Sequence, residues 1–332
     1  MYRLEISSNI NVEQWDNLLE ACVEHTFFQS KQWVKPWAHQ HQLKALCVFT
    51  DINDLVLFWP FKGNETTCNF GGIAMSDYNL PIVKTGHEEA IRFAIGEMLK
   101  IFDRLQFDEV PIRSTLYKTI SSYPKLLERG RKECPSIQLE ESDHVAKLFK
   151  KKSTKRKRKK LAEVGELRVS HSDEPSEVAQ GMEHLSVLHK ARWKETPTPS
   201  VFENTATLDI FKAISSAGSN LVYSELRVSD EIAAAHLGIA YDSTFIWYMP
   251  SYSDKFGHCS PGEILLTEVI SHSIERGSKI FDFSRGNESY KYRYSNLVDS
   301  NFSLLIYSRW EEYMAHATKT FLKQALTKVL NR

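Results

Sequence analysis

The stretch Ser278–Ser295, SKIFDFSRGNESYKYRYS, concentrates side chains that can do chemistry. Ile280, Phe281 and Phe283 suit a buried strand, Ser284–Asn287 a polar turn, and Tyr290, Lys291, Arg293 and Tyr294 a short basic-aromatic helix. Asp282 is costly to bury ionised without a partner, and Arg285 is a candidate partner three residues on. Lys291 could stabilise negative charge on a tetrahedral intermediate or a phosphate; its plainer reading is a solvated lysine on an amphipathic helix. His236, in the middle of the strand AAAHLGIAY, is a candidate base, because imidazole ionises near neutrality and can take a proton from an attacking ammonium. A sheet histidine satisfied by a neighbour explains it equally well.

Just upstream, SPGEILLTEVISHSIERG reads as a helix that begins at Pro261 and stops at Gly277. Such a start, with Ser260 before it and Gly262 after, offers free backbone N–H groups and the positive end of a helix dipole to an anion. Lys255 and His258 could add charge there. Arg192 and Trp193 suit the wall of a sugar or nucleotide site through stacking and bidentate contacts, although a structural anchor closing a helix would look the same. Trp33, Asp77 and Tyr78 are candidates for lining a cleft in the first half, with ordinary loop packing as the alternative.

Nine of the eleven residues Lys150–Lys160 are Lys or Arg. Such a run cannot bury itself, and a solvated connecting helix is its default. It could also grip a polyanion: tRNA phosphates, anionic lipid headgroups or a phosphorylated carrier. Nothing aromatic is interleaved, which argues against single-stranded nucleic acid. Cys259 has no flanking pattern of a Cys–His nucleophile. His39 with His41, and His184 with His189, lack zinc spacing and a third ligand, so no metal site is expected.

The elements that must position these residues fall into two halves. Tyr2–Ser8, Lys44–Thr50 and Leu55–Phe61 read as strands, with a helix that starts at Asn11, where Gln14 three residues on is a candidate for completing a capping box, and an amphipathic helix over His87–Leu105. Strands at Asp108–Arg113 and Ser136–Glu140 complete the first half. The second half is more regular. A strand at Glu166–Ser172 is followed by helices at Glu174–Glu195 and Asn204–Ala217. Strands Leu221–Val228, Ile232–Tyr241 and Thr244–Ser253 then form hairpins across Ser229-Asp230-Glu231 and Asp242-Ser243. After the helix from Pro261 come the strand Lys279–Phe283, a helical Glu288–Tyr294, a strand Phe302–Ser308 and a basic amphipathic helix Trp310–Leu330. This is an α/β chain of mixed sheets in two domains, 1–145 and 146–309, with the final helix (310–332) a candidate to join the first.

Composition narrows the class. With 332 residues the chain has room for two cores, and 42 basic against 42 acidic residues leave no bulk charge to name a partner. Five scattered cysteines without a C-x-x-C pair suit reduced thiols. MYRLEISSN has no apolar signal region, and no apolar run approaches the ~20 residues of a membrane span. A cytoplasmic protein is expected, with the inner membrane face as a candidate docking surface.

TFFQSKQW, SDYNLP, KRKRKKLAEVGEL, LHKARW, SPGEIL and FDFSRGNESYKYRY together resemble the CelD/FemAB-like branch of the GNAT acyltransferase superfamily. The resemblance spans Thr26 to Tyr294 and implies two tandem GNAT-like domains, the second keeping the acyl-donor site. Members of the branch acylate amino sugars or related groups in cell-surface polysaccharide biosynthesis, or transfer amino acids from aminoacyl-tRNA. The resemblance implies an acyl-CoA, foremost acetyl-CoA, between the strands around Tyr248, Met249 and Ile280–Phe283, with its pyrophosphate at Ser260–Gly262 and Lys255 and Arg285 nearby. It also implies His236 or Asp282 as base, Tyr290 or Tyr294 as the acid that protonates the departing thiolate, and Lys291 from the branch's Tyr-Lys pair. An amine on a sugar or sugar-linked carrier would enter between the domains, past Trp33, Asp77, Tyr78, Arg192 and Trp193. The superfamily's glycine-rich Q/R-x-x-G-x-G/A loop is reduced here to Gly257 and Gly262. The rival expectations are an aminoacyl-tRNA-dependent transferase and a scaffold without catalysis.

Overall fold

A computed structural model describes residues 1–149, 152–194 and 196–330; Lys150 and Lys151, part of the basic run, lie outside the described residues. The chain divides into two compact units, residues 1–133 with 299–332, and residues 134–298.

The first unit contains β1 (Tyr2–Ser7), α1 (Trp15–Glu20), α2 (Lys31–His41), β2 (Lys44–Thr50), β3 (Leu55–Gly63), β4 (Thr67–Phe70), β5 (Ile82–Val83), α3 (Glu89–Ile101), β6 (Arg104–Pro111) and α4 (Thr115–Ile120). Next comes β7 (Leu126–Gln138), within which the chain passes into the second unit. There follow α5 (Ser142–Phe149), α6 (Lys152–Ala162), β8 (Leu167–Ser172), α7 (Pro175–Trp193), α8 (Thr205–Ser216), β9 (Leu221–Val228), β10 (Glu231–Tyr241) and β11 (Thr244–Tyr252). Then come α9 (Pro261–Glu275), β12 (Ile280–Asp282) and α10 (Ser289–Tyr292). The chain returns to the first unit within β13 (Leu297–Tyr307) and ends in α11 (Trp310–Leu330). The division thus falls inside two strands rather than at 145/146 and 309/310. Ser136–Gln138 of β7 pair with β12, whereas Asn301–Tyr307 of β13 pair with β6.

In the first unit β1, β2, β3 and β4 run antiparallel in order, β4 and β6 pair parallel, and β13 closes on β6. One face of α3 supplies Ile91, Ala94, Ile95 and Met98 to the core, the spacing that made this helix legible. Trp15 heads α1, four residues beyond the start expected at Asn11, and Gln14, now the residue before the helix, makes no side-chain cap hydrogen bond. In the second unit β8, β9, β10 and β11 are antiparallel, and β11 meets β12 in parallel. The tight hairpins turn at Ser229 and Asp242, both in the left-handed region that such turns require. Val222, Leu226, Phe245, Leu265, Val269 and Phe281 are central to the core between this sheet and α9.

Candidate active site

The second unit opens where its two parallel strands part. β11 and β12 pair only over Thr244–Ile246 and Ile280–Asp282. β12 stops there because the Asp282 carboxylate accepts the N–H of Ser284 at 2.7 Å, and Ser284 turns with φ +57°. β11 continues to Tyr252, so its edge from Trp247 onward is released from β12. It also bulges: Leu237 faces Met249 and Gly238 faces Trp247, leaving Tyr248 as the extra residue. The resulting wedge holds a cavity of about 330 Å³, walled by Trp247, Pro250, Tyr252 and Tyr290, with Ser260 and Gly262 at the start of α9.

That helix start is shaped for the cavity. Ser260 is left-handed (φ +55°) and its carbonyl accepts the N–H groups of Glu263 and Ile264 at 3.1 and 3.3 Å. Pro261 brings no N–H, and among the described residues the N–H of Gly262 has no acceptor. A Cβ on Gly262 would stand 3.4 Å from the Tyr252 ring, so glycine keeps that wall close. Arg192, at the end of α7, lies 3.8 Å over the same ring. Glu263 and Arg293 also line the cavity. Burial pushes the Glu263 carboxyl up, but its hydrogen bond to Lys157 (2.7 Å), the charge of Lys157 and that of Arg293 (3.1 Å) outweigh burial and hold it below the usual range.

The two tyrosines differ. Tyr290 walls the cavity and its hydroxyl oxygen accepts the Trp247 indole N–H at 3.1 Å, which leaves its own O–H to donate elsewhere. Burial pushes its pKa up to about 12. Tyr294 is 2% exposed, packs against Phe283 and does not line the cavity. Burial and then the charge of Glu263 push it up to about 12 as well.

Other expected site residues have different positions. His236 is wholly buried, stacked 3.8 Å behind Trp247, and among the described residues neither ring nitrogen has a hydrogen-bond partner. Burial drives its pKa well below the ordinary value. It is a packing residue behind the wall, not a base in the cavity. Asp282 caps the Ser284 turn. Lys291, 4% exposed, donates to the Arg285 carbonyl at 2.8 Å and pairs with Glu288 at 3.0 Å, which staples that turn, and it does not line the cavity. Gly286 (φ +126°) makes room for the staple: a Cβ there would lie 2.4 Å from the Glu288 carboxylate and 2.9 Å from the Lys291 ammonium. Tyr248 packs toward Phe211, and Met249 is buried without lining the cavity. Lys255 is held by Glu231 at 2.5 Å, and Trp193 stacks on His189.

In the first unit, Trp33 is fully buried with its indole N–H on Ser76 Oγ at 2.9 Å. The backbone carbonyls of Asp77 and Tyr78 accept the side-chain amides of Asn301 and Gln29. These three residues brace a loop. Of the residues singled out in the sequence, the cavity brings together Arg192, Ser260, Gly262 and Tyr290. It adds Trp247, Tyr252, Glu263 and Arg293. Glu263 had a visible signal, as the first acid of the SPGE helix start, but a tryptophan in an apolar strand reads as core.

Residues 149–292 match the family described as "Acetyltransferase (GNAT) domain". The second unit is a GNAT-type acyltransferase domain. The GNAT match spans the wedge, the α9 start and Tyr290. The whole chain shares its fold with the crystal structure of FemX (9% identity, 90% of this chain and 96% of that one, TM-score 0.59). It shares it also with L-PGS from Bacillus licheniformis (12% identity, 94% and 97%, TM-score 0.56). A tandem GNAT protein from the clavulanic acid biosynthesis pathway is similar too (10% identity, 92% and 99%, TM-score 0.50). At these identities the likeness concerns the fold alone. No curated protein matches the sequence. Among the described residues no group of three His, Cys, Asp or Glu side chains could hold a metal, and no helix is long and apolar enough to cross a membrane.

Proposed function

We propose that the second unit transfers an acyl group, foremost acetyl, from a coenzyme A thioester to an amine of a sugar or sugar-linked carrier in cell-surface polysaccharide biosynthesis. The observation that carries the donor side is the wedge: a released strand edge beside a helix N-terminus, with a tyrosine O–H available between them. The N–H groups of β11 beyond Ile246 are suited to an extended acyl chain and to the oxyanion of the tetrahedral intermediate. Gly262 N–H, Arg192 and Arg293 suit phosphates. The amino-sugar acceptor rests on the family resemblance.

In the reaction the amine attacks the thioester carbon, the C–N bond forms and the C–S bond breaks. Tyr290 donates its proton to the departing sulfur and is reprotonated by solvent. Trp247 orients that step, since its N–H occupies an acceptor site on the Tyr290 oxygen. No imidazole lines the cavity among the described residues, and Glu263 is committed to two cations. The ammonium therefore loses its proton to water, and the rate rises with pH as the acceptor amine deprotonates. The test is release of free thiol from acetyl-CoA with a panel of amino sugars, alongside thermal melting. Acetyl-CoA should raise the melting temperature, and absence of both effects refutes the proposal.

The reduced glycine loop favours one second reading. With only Gly257 and Gly262 before and in the first turn of α9, the backbone cradle for a pyrophosphate is thin, which leaves room for a donor other than coenzyme A, such as aminoacyl-tRNA. In that case charged tRNA, and not acetyl-CoA, raises the melting temperature. No response to either would point to a scaffold.

A further inference from the structure

The two flanks of α6, in the second unit, are used differently. Lys157 pairs with Glu263 at 2.7 Å and Lys160 donates to the His258 carbonyl at 3.3 Å, so one flank is held at the start of α9, beside the donor cavity. Leu161, fully buried, marks the packed seam. At 3.6 residues per turn, Lys155 and Lys159 lie one turn apart on the other flank. Both are exposed, and among the described residues neither has an ion pair. Like charges four residues apart work against a helix, and an anion set between them relieves the repulsion.

That flank borders an open groove of about 450 Å³. Lys155, Arg158 and Lys159 line it from α6, and Ala162, Glu166 and Leu167 line it where the chain leaves the helix and begins β8. The backbone there is pinned. The Glu166 carbonyl accepts the Ser229 N–H at 2.7 Å, and Leu167 faces Val228 in the β8–β9 ladder. Arg158 is tied to Glu268 of α9, which positions its guanidinium. Glu166 brings an acid to the groove, and Arg168 pairs with it at 3.0 Å.

Two unpaired ammonium groups beside a guanidinium suit an anion that carries more than one charge. A carboxylate would answer only one of these cations. A phosphate monoester brings about two negative charges and three acceptor oxygens, and its oxygens match a guanidinium edge. Ala162 and Leu167 offer apolar surface to the organic part of such a ligand. We propose that this groove is a second ligand site, on the opposite flank of α6 from the donor cavity, and that it takes the phosphate group of a phosphate ester. A soluble ester and a lipid headgroup present the same group, and the experiment separates them. No aromatic side chain lines the groove among the described residues, so it has nothing on which nucleic-acid bases could stack. The inference does not rest on the acyl-transfer reading, and its test needs no activity.

Glycerol 3-phosphate, a soluble monoester, is titrated calorimetrically into the full chain. In parallel the chain is sedimented with phosphatidylcholine vesicles, with and without phosphatidic acid, whose headgroup is the same monoester. Lys155→Gln/Lys159→Gln should weaken binding of the ligand by about tenfold or more, since each lysine supplies a charge-assisted hydrogen bond. Ala162→Phe, which keeps every cation but fills the groove, should cause a similar loss, whereas Arg192→Gln in the donor cavity should cause none. Binding should also weaken as salt rises from ~0.1 to ~1 M and the Debye length falls from about 10 to about 3 Å. Circular dichroism melts matching the wild type confirm that these surface variants fold. Uptake of glycerol 3-phosphate identifies a soluble ester as the ligand, and a preference for phosphatidic acid vesicles alone identifies a headgroup. Either result, lost in both groove variants, supports the site. Binding of neither ligand, or binding that survives either groove variant, would overturn the proposal. So would loss in Arg192→Gln alone, which would place the phosphate in the donor cavity, or capture of bulk tRNA with neither monoester bound.

Discussion

Each unit contains one parallel strand pair in an otherwise antiparallel neighbourhood, and the two pairs have opposite fates. In the first unit β4 and β6 stay in register from Thr67–Arg104 to Phe70–Phe107, and the junction is filled with aromatic rings. Phe70 and Phe107 stack at 5.0 Å and 9°, and Trp59 covers Phe70 at 4.0 Å. The space left beside Gly71 and Asn79 is about 10 Å³, too small for a ligand. In the second unit the Tyr248 bulge and the Asp282–Ser284 turn part the strands around a cavity of about 330 Å³. A fold of this kind therefore becomes a site by what interrupts the strands after they pair. The first unit's rings make the same junction a piece of core.

Substitutions can break this contrast from either side. The largest effect should come from the filled junction. Phe70→Ala removes a ring that is 1% exposed and should cost about 3–5 kcal/mol of stability, read from a urea midpoint. Acyl transfer by the protein that remains folded should be unchanged. Next is Tyr290→Phe, which keeps the wall but removes the proton donor. We expect kcat to fall about 10²-fold with little change in the donor KM, and an unchanged kcat would remove Tyr290 from the mechanism.

Acid should weaken the second unit through its histidines. Burial holds His171 down at about 4, and His272, stacked on it at 4.3 Å, is lowered chiefly by burial and also by Arg276, against the opposing charges of Glu275 and Asp173. His236 is lowered most strongly of all. In the unfolded chain these groups ionise near 6.5. Their contribution is thus intact above that pH and is lost as pH falls from about 6.5 toward 4, on the order of 3 kcal/mol from His171 alone. The double variant His171→Gln/His236→Gln should flatten the dependence of the midpoint on pH over this window; an equally steep slope would contradict the assignment.

Trp247→Phe should be milder, lowering kcat about tenfold. Because the indole N–H holds the Tyr290 pKa down against burial, its loss should also move the Tyr290 ionisation upward, visible in an ultraviolet tyrosinate titration. The smallest effect is at Lys255→Gln, an exposed pair with Glu231 whose loss should change stability by less than ~0.5 kcal/mol and leave activity alone.

Much of the second unit was legible in the sequence because its signals are local. Alternation fixed β9, β10 and β11, Ser229 and Asp242 marked their turns, and Pro261 and Gly277 bracketed α9. The long β7 was not legible, since its first half is a run of exposed charged residues, LLERGRK, with no apolar alternation. Of the residues that sequence reasoning singled out, Arg192, Ser260, Gly262 and Tyr290 line the cavity. Residue type cannot show where burial takes a polar group: the Lys291 ammonium is held by the Arg285 carbonyl and Glu288, outside the cavity lining. His236 reads as a base until the sheet closes over it. Trp247 was hidden for the opposite reason, as an apolar-looking strand residue whose N–H does the polar work.

The contrast between the two junctions can be read out by amide hydrogen exchange with and without acetyl-CoA. If the open wedge is the donor site, binding should slow exchange in Trp247–Tyr252 and in the first turn of α9, and leave Thr67–Phe70 unchanged. Acetyl-CoA that protects neither segment of the second unit, or protects Thr67–Phe70 instead, would contradict the assignment of the donor site.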